Sequence, residues 1–202
     1  EELYDLCSMC IKRRINYMTV FAFSTENWRR PEAEIEKIMD LFIYFFNKYK
    51  DEMEKEGIRI RFSGVRDGLS DQVKATIAEA ESTSVQRKTL QLILAFNYGS
   101  RREIVDSSKK IVAAVQNGEL DPDDLDEDKF RDYLYLPDVP DPDLIIRPSG
   151  EQRLSNFLLW QAAYSELYFA KVLWPDFTEK TLDQALEAYA KRDRRFGAIE
   201  EE

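Results

Sequence analysis

Between Asp143 and Phe177 the chain reads DLIIRPSGEQRLSNFLLWQAAYSELYFAKVLWPDF, an apolar strand that empties into a loop carrying Arg147, Arg153 and Ser155. Two guanidinium groups and a hydroxyl in one loop suit a phosphate or diphosphate, because the arginine fork matches phosphate oxygens in bidentate geometry. The pattern predicts a short helix from Asn156 to about Tyr164, whose N-terminal N–H groups and dipole would add to an anion site. A structural ion-pair cluster with Glu151 and nearby aspartates is the alternative. A second polar run, Ser24, Thr25, Glu26, Asn27, Trp28 and Arg30, follows an apolar strand ending at Phe23. Open α/β sheets bind ligands beyond the carboxyl ends of their strands, which is where both runs fall. Glu26 and Glu166 add carboxylates able to reach a divalent cation. Arginine, hydroxyl and carboxylate together describe a Mg²⁺–diphosphate site, with ordinary turn caps as the alternative for either loop.

Composition narrows the chemistry further. The chain has no histidine, which removes Ser-His-Asp triads, His-ligated zinc and imidazole bases. A formal charge of −10 over 202 residues argues against nucleic acid, whose binding depends on phosphate neutralisation by Lys and Arg. The basic groups cluster locally, at Lys12 to Arg14, at Arg29 and Arg30, and at Lys191 to Arg195, so an anionic ligand would be small. Cys7 and Cys10 form CSMC with no third cysteine. That excludes a structural zinc site and reads as reduced thiols of a cytosolic protein, with a thioredoxin-like pair as the alternative. No run approaches 18 apolar residues, so a soluble, cytoplasmic protein without a membrane span is expected.

The elements that must position these residues follow from periodicity. Helical spacing at Leu3, Leu6, Cys7, Cys10 and Ile11 predicts a first helix, with Arg13 and Arg14 at its negative end. Tyr17 to Phe23 predicts a strand buried on both faces. Pro31 opens a helix from Glu32 to about Lys50, whose wide apolar stripe at Ile35, Ile38, Met39, Phe42, Ile43, Phe45 and Phe46 fits a buried helix or the wall of an apolar tunnel. A strand at Ile58 to Phe62, a helix from Ser70 to about Glu81 and a strand at Leu90 to Phe96 follow. Ser100-Arg-Arg-Glu103 has the pattern of a capping box, the acidic stretch Glu119 to Lys129 that of a solvated surface, Leu144 to Ile146 that of a strand, and Thr178 to Arg194 that of a final helix. The alternation specifies one α/β domain with a largely parallel central sheet flanked by helices.

The segments FAFSTENWRRP (Phe21 to Pro31), FNYGSRREI (Phe96 to Ile104) and the long run from Asp143 closely resemble the cis-prenyltransferases, and the resemblance extends to RDRRFG (Arg192 to Gly197). It implies the fold of that family, with an apolar tunnel enclosed by the faces around Ile35 to Phe46 and Leu90 to Leu94. It implies Mg²⁺-dependent, sequential condensation of isopentenyl diphosphate onto an allylic diphosphate such as farnesyl diphosphate, giving a long cis-polyprenyl diphosphate of undecaprenyl type. Arg147, Arg153, Leu154 and Ser155 match the family's isopentenyl diphosphate site, and Glu166 its Mg²⁺-associated glutamate. Ser24, Thr25, Glu26, Asn27, Trp28 and Arg30 match the loop that positions substrate and closes over it. Asn27 stands at the position linked to proton handling, although a neutral amide is a poor base. A homodimer with Arg195-Phe196-Gly197 near the partner's arginine loop is also implied, with the membrane met only peripherally through the lipid product.

The chain departs from the family pattern in places. It carries no copy of the DGNGRWA-like motif whose Asp binds Mg²⁺, so residues preceding Glu1 are expected. Gln152 stands where some members have His, Val65 follows Gly64 where Asp is common, and Pro148-Ser149 replaces the usual Thr-Gly or Thr-Ser. A non-catalytic homologue acting as a binding or dimer partner is the other reading of the missing motif.

Overall fold

The computed structural model describes residues 2–192. They fall into two compact units, one up to Pro137 and one from Asp138 onward.

The first unit is built on β1 (Tyr17–Ser24), β2 (Ile58–Ser63) and β3 (Leu90–Tyr98), all parallel in the order β1-β3-β2. The continuous apolar run LQLILAFNY explains the central place of β3, since a middle strand must bury both faces. Leu90, Leu92, Ile93, Leu94 and Ala95 are all buried. The expectation of two-sided burial fails for β1. It is an edge strand of this sheet, and within it Phe23 is buried while Tyr17 and Ala22 are exposed. Both strands show β-branched and aromatic runs, and only pairing order separates them. In β2, IRIRFS alternates, with Ile58, Ile60 and Phe62 buried.

Helices cover this sheet. α1 (Glu2–Lys12) packs on β3 and buries Cys7 and Cys10. As its basic end suggested, Arg13 donates to the Met9 carbonyl at 3.0 Å, satisfying a last-turn acceptor. Burial, reinforced by Cys10 and Glu56, pushes the Cys7 thiol up to about 12. Burial pushes Cys10 up to about 11 against the charge of Arg13. Both are free thiols, inert in this setting.

α2 (Glu32–Lys55) runs five residues past its expected end and buries Phe42, Phe46, Tyr49 and Met53. Phe42 lies 4.5 Å from Phe96 and 5.6 Å from Phe62, ring centre to ring centre, so the stripe's middle is solid core. Ile35, Ile38, Met39 and Ile43 remain half-buried. α3 (Asp71–Ser84) is capped by Ser70, whose Oγ accepts from Val73 N at 3.3 Å.

The capping-box expectation at Ser100 is overturned. α4 (Ser100–Gln116) has Gly99 as its N-cap, and Glu103 points inward, fully buried. Its carboxylate accepts from Tyr98 Oη at 2.6 Å and Tyr135 N at 3.0 Å, because a buried carboxylate needs donors that a solvent-facing cap would not supply. The acidic stretch becomes a 3₁₀ turn at Pro122–Asp124 and the short α5 (Glu127–Arg131), each opened by an aspartate side chain.

The second unit holds β4 (Leu144–Arg147) and β5 (Glu166–Phe169), a parallel pair in register from Leu144↔Glu166 to Arg147↔Phe169. α6 (Glu179–Ala190) packs on β5 and buries Thr181, Leu182 and Ala185. α6 stops at Ala190, short of the expected end at Arg194, and the Arg195-Phe196-Gly197 tail lies outside the described residues. The helix expected from Asn156 is absent. Ser155, Asn156 and Leu158 all have positive φ, at 52°, 65° and 46°, and a left-handed backbone cannot enter a right-handed helix. Turns take its place up to Tyr164, so no helix dipole contributes to the arginine loop. No described helix is long and apolar enough to cross a membrane.

Candidate active site

On the second unit, Arg147 closes β4 with its chain held at the sheet edge. Ala170 N donates to the Arg147 carbonyl at 2.9 Å, and Gly150 N to that of Ala170 at 2.8 Å. These bonds pin both ends of a tight reversal in which Ser149 and Gly150 have φ of 80° and 70°. With Ser155, Asn156 and Leu158 that makes five left-handed residues within ten positions, four of them not glycine. Such conformations cost of order 1 kcal/mol or more each and collect where a loop must present groups in one pose.

What the loop presents is cationic. Arg147 Nη1 donates to Ser155 Oγ at 3.1 Å. The Nε of the same guanidinium is buried and has no hydrogen-bond partner, a state that an arriving acceptor would relieve. The arginine and serine singled out from sequence are thus in contact. Arg153 is ion-paired with Glu151 and largely exposed. The ion-pair alternative therefore holds for Arg153, and such exposed pairs exchange readily for a stronger anion.

Glu166 is placed differently. It opens β5 opposite Leu144, three strand positions from the residue opposite Arg147, roughly 10 Å of strand rise. Its carboxylate faces Arg192 Nε at 3.6 Å, a partner that sequence spacing did not reveal. Among the described residues no group of three or more Asp, Glu or Cys side chains could cage a metal. The donor set still suits a hard cation held by one protein carboxylate and substrate oxygens, the usual mode for Mg²⁺. Glu166, half-buried with an exchangeable partner, fits such a ligand.

On the first unit the residues after β1 form a 3₁₀ turn, Thr25–Arg29. Ser24 caps it: its Oγ accepts from Glu26 N at 3.0 Å while its own N–H donates to Asn27 Oδ1 at 2.9 Å. Ser24 Oγ also contacts the Glu26 carboxylate, to which Thr25 Oγ1 donates at 3.2 Å. The capping alternative is therefore realised, and it has a chemical result. With its oxygen engaged, Asn27 keeps its NH₂ group to donate and has no basic atom to offer a proton. Arg30 is paired with Glu34 at 2.7 Å, both side chains about half exposed. Trp28 donates from Nε1 to Asn97 Oδ1 at 2.7 Å. Asn97 is a residue to which the sequence reading gave no role, although it lies within the FNYGSRREI segment.

Relatives of known name bear on what these features serve. Residues 1–197 match the family described as "Putative undecaprenyl diphosphate synthase". An isoprenyl transferase of Thermotoga maritima is 49% identical over 98% of this chain and 84% of its own length. A ditrans,polycis-undecaprenyl-diphosphate synthase ((2E,6E)-farnesyl-diphosphate specific) of Legionella pneumophila is 41% identical over 98% and 84%. Among solved structures, lavandulyl diphosphate synthase from Lavandula x intermedia, in complex with dimethylallyl diphosphate, superposes with a TM-score of 0.92 at 37% identity, over 95% of this chain and 83% of that one. A probable undecaprenyl diphosphate synthase from Campylobacter jejuni does so at 0.87 and 34%, over 98% and 90%. With this identity spanning nearly every residue, the chain belongs to the undecaprenyl diphosphate synthase family of cis-prenyltransferases and is a prenyltransferase.

Proposed function

We propose that the chain elongates an allylic diphosphate, farnesyl diphosphate as the primer, by successive addition of isopentenyl diphosphate with cis geometry. The observation that carries this reading is Arg147: a guanidinium with one N–H on Ser155 and another buried without an acceptor, at a loop locked by left-handed residues. A diphosphate oxygen completes that set of donors. Arg153 releases Glu151 to take a second oxygen, and Leu154 lies between the two polar contacts in sequence.

In each cycle the C–O bond of the allylic diphosphate breaks as the isopentenyl double bond supplies the electron pair for the new C–C bond. Loss of a proton from the adjacent carbon restores a double bond. The departing diphosphate takes that proton, since Asn27 offers only donors. The roles of Asn27 and of Ser24, Thr25, Glu26, Trp28 and Arg30 are to orient substrate. Positioning of this kind contributes as much as several orders of magnitude in rate. Mg²⁺, with Glu166 as a protein ligand, would neutralise charge on the leaving diphosphate. The half-buried residues Ile35, Ile38, Met39 and Ile43 of α2 are the proposed wall for the growing chain.

Steady-state kinetics with both substrates varied separately test this. Arg147→Ala should raise the isopentenyl diphosphate KM by about ten-fold or more, since a charge-assisted contact is worth roughly 1.5 to 3 kcal/mol. The allylic KM should be far less affected. Arg147→Lys should not rescue, because an ammonium cannot span Ser155 and two phosphate oxygens in one plane. Unchanged isopentenyl diphosphate kinetics in Arg147→Ala would remove Arg147 from the site.

A further inference from the structure

Asn97 lies at the end of β3, 2% exposed, with φ of 51°. The register with β1 steps from Phe23↔Phe96 to Ser24↔Tyr98 and passes over it. At that irregularity the side-chain amide of Asn97 is used three times. Oδ1 accepts from Trp28 Nε1 at 2.7 Å, while Nδ2 donates to the carbonyls of Val65 and Asp67 at 3.0 and 2.9 Å. Its backbone carbonyl also accepts from Val65 N at 3.2 Å. One side chain therefore ties the turn after β1 to the segment after β2.

The close approach of that segment is built in. A Cβ on Gly64 would stand 2.0 Å from the Phe96 carbonyl oxygen, so only glycine permits the crossing. A Cβ on Gly68 would meet the Trp28 ring at 3.6 Å. Trp28 packs edge-on against Phe23 at 5.3 Å, and the residue is still 38% exposed. The bond to Asn97 is thus the directional contact that fixes the indole, and with it the 3₁₀ turn carrying Asn27.

We propose that Asn97 is a positioning residue for prenyl transfer: through Trp28 it holds the Ser24–Arg30 turn against residues 64–68, and so holds Asn27 in one pose. The claim rests on the elongation reading above. A buried amide that merely anchors the fold would lower stability and leave the turnover of folded molecules alone. The two differ in what a variant does to kcat.

The experiment uses the intact protein labelled with 5-fluorotryptophan, the Trp28 line being identified with Trp28→Phe. Asn97→Ala should shift the Trp28 ¹⁹F line and lower kcat by about ten- to hundred-fold, as expected when an orienting group moves by a fraction of an ångström to an ångström. The isopentenyl diphosphate KM should stay within about two-fold, because Arg147 grips the diphosphate from another element. Asn97→Ala combined with Trp28→Phe should be no slower than the slower single variant, since both cut one bond. An unmoved Trp28 line, a wild-type kcat or additive losses overturn the proposal. Should Asn97→Ala not fold, Asn97→Asp carries the same readouts, because it keeps the left-handed conformation and sets a carboxylate oxygen against the Val65 and Asp67 carbonyls; a wild-type kcat there overturns it equally. Absence of elongated product from the wild-type protein would instead defeat the elongation reading, and the ¹⁹F line alone would then decide the role of Asn97.

Discussion

At the scale of single residues, charge in this protein is held in pairs that a ligand can break. Arg153 with Glu151, Arg30 with Glu34, and Arg192 with Glu166 are each at least partly exposed, so their mutual attraction is worth little against a diphosphate or a divalent cation. Glu166 gives the sharpest test. Glu166→Gln should raise the Mg²⁺ concentration for half-saturation by about ten-fold, the loss of one charged contact. Arg192→Ala should lower it, because a competing cation has gone. Calorimetric titration of Mg²⁺ in the presence of isopentenyl diphosphate reads both, and curves that coincide with wild type would make Glu166 structural. Arg147 and Ser155 stood out in the sequence because two arginines and a hydroxyl after an apolar strand have few packing uses, and the two are in contact. The Glu166–Arg192 pair was not, since 26 positions separate its members. Nor was Asn97, because an Asn before Tyr-Gly reads equally well as a turn.

At the scale of elements, the parallel strands and the helices between them were legible, since apolar runs and 3.6-residue stripes report burial directly. Three failures share another cause. β1 reads as a central strand and lies at an edge, Asn156 to Tyr164 reads as a helix and forms turns, and β5 went unread within YSELYF. In each case the outcome depends on a distant partner or on left-handed backbone, neither of which periodicity carries. The α4 opening is a fourth instance, and its misread Glu103 belongs to a network with a measurable signature. Tyr135 Oη donates to Asp106 at 2.7 Å, and Arg102 Nε holds the same carboxylate at 2.8 Å. Burial alone would raise the Asp106 carboxyl, but the bonds from Tyr135 and Arg102 outweigh it and leave it below its usual value. Burial and the Asp106 carboxylate push the Tyr135 phenol well up. A carboxyl depressed in the folded state stabilises above its unfolded pKa and loses that contribution as pH falls through the folded one. Asp106→Asn should therefore cost about 1 to 3 kcal/mol at pH 7. The gap to wild type should begin to narrow below about pH 4, where the unfolded carboxyl starts to protonate, and close as the folded carboxyl protonates at lower pH. Urea unfolding at both pH values measures it, and a gap independent of pH would exclude the ionic contribution.

At the scale of the whole molecule, acidity and exposed apolar surface pull in different directions. A net charge of −10 favours dispersal. The second unit nonetheless exposes Leu159, Tyr164, Leu173 and Trp174, at 38%, 72%, 60% and 40%. Large apolar side chains left this open invite association, and a homodimer is what the resemblance to the family implies. Light scattering should give twice the monomer mass of 23.8 kDa, and Leu173→Lys combined with Trp174→Lys should shift it toward one. A monomeric wild-type protein would exclude that assembly.

The two thiols on α1 carry a practical consequence. Both cysteines are 3% exposed or less, and both resist ionisation, while thiol-directed reagents attack only the accessible thiolate. These two thiols should therefore react slowly with maleimides while the chain is folded. A single cysteine introduced at the exposed Tyr164 would take up a dye alone, giving one fluorescent label at a known place on the second unit.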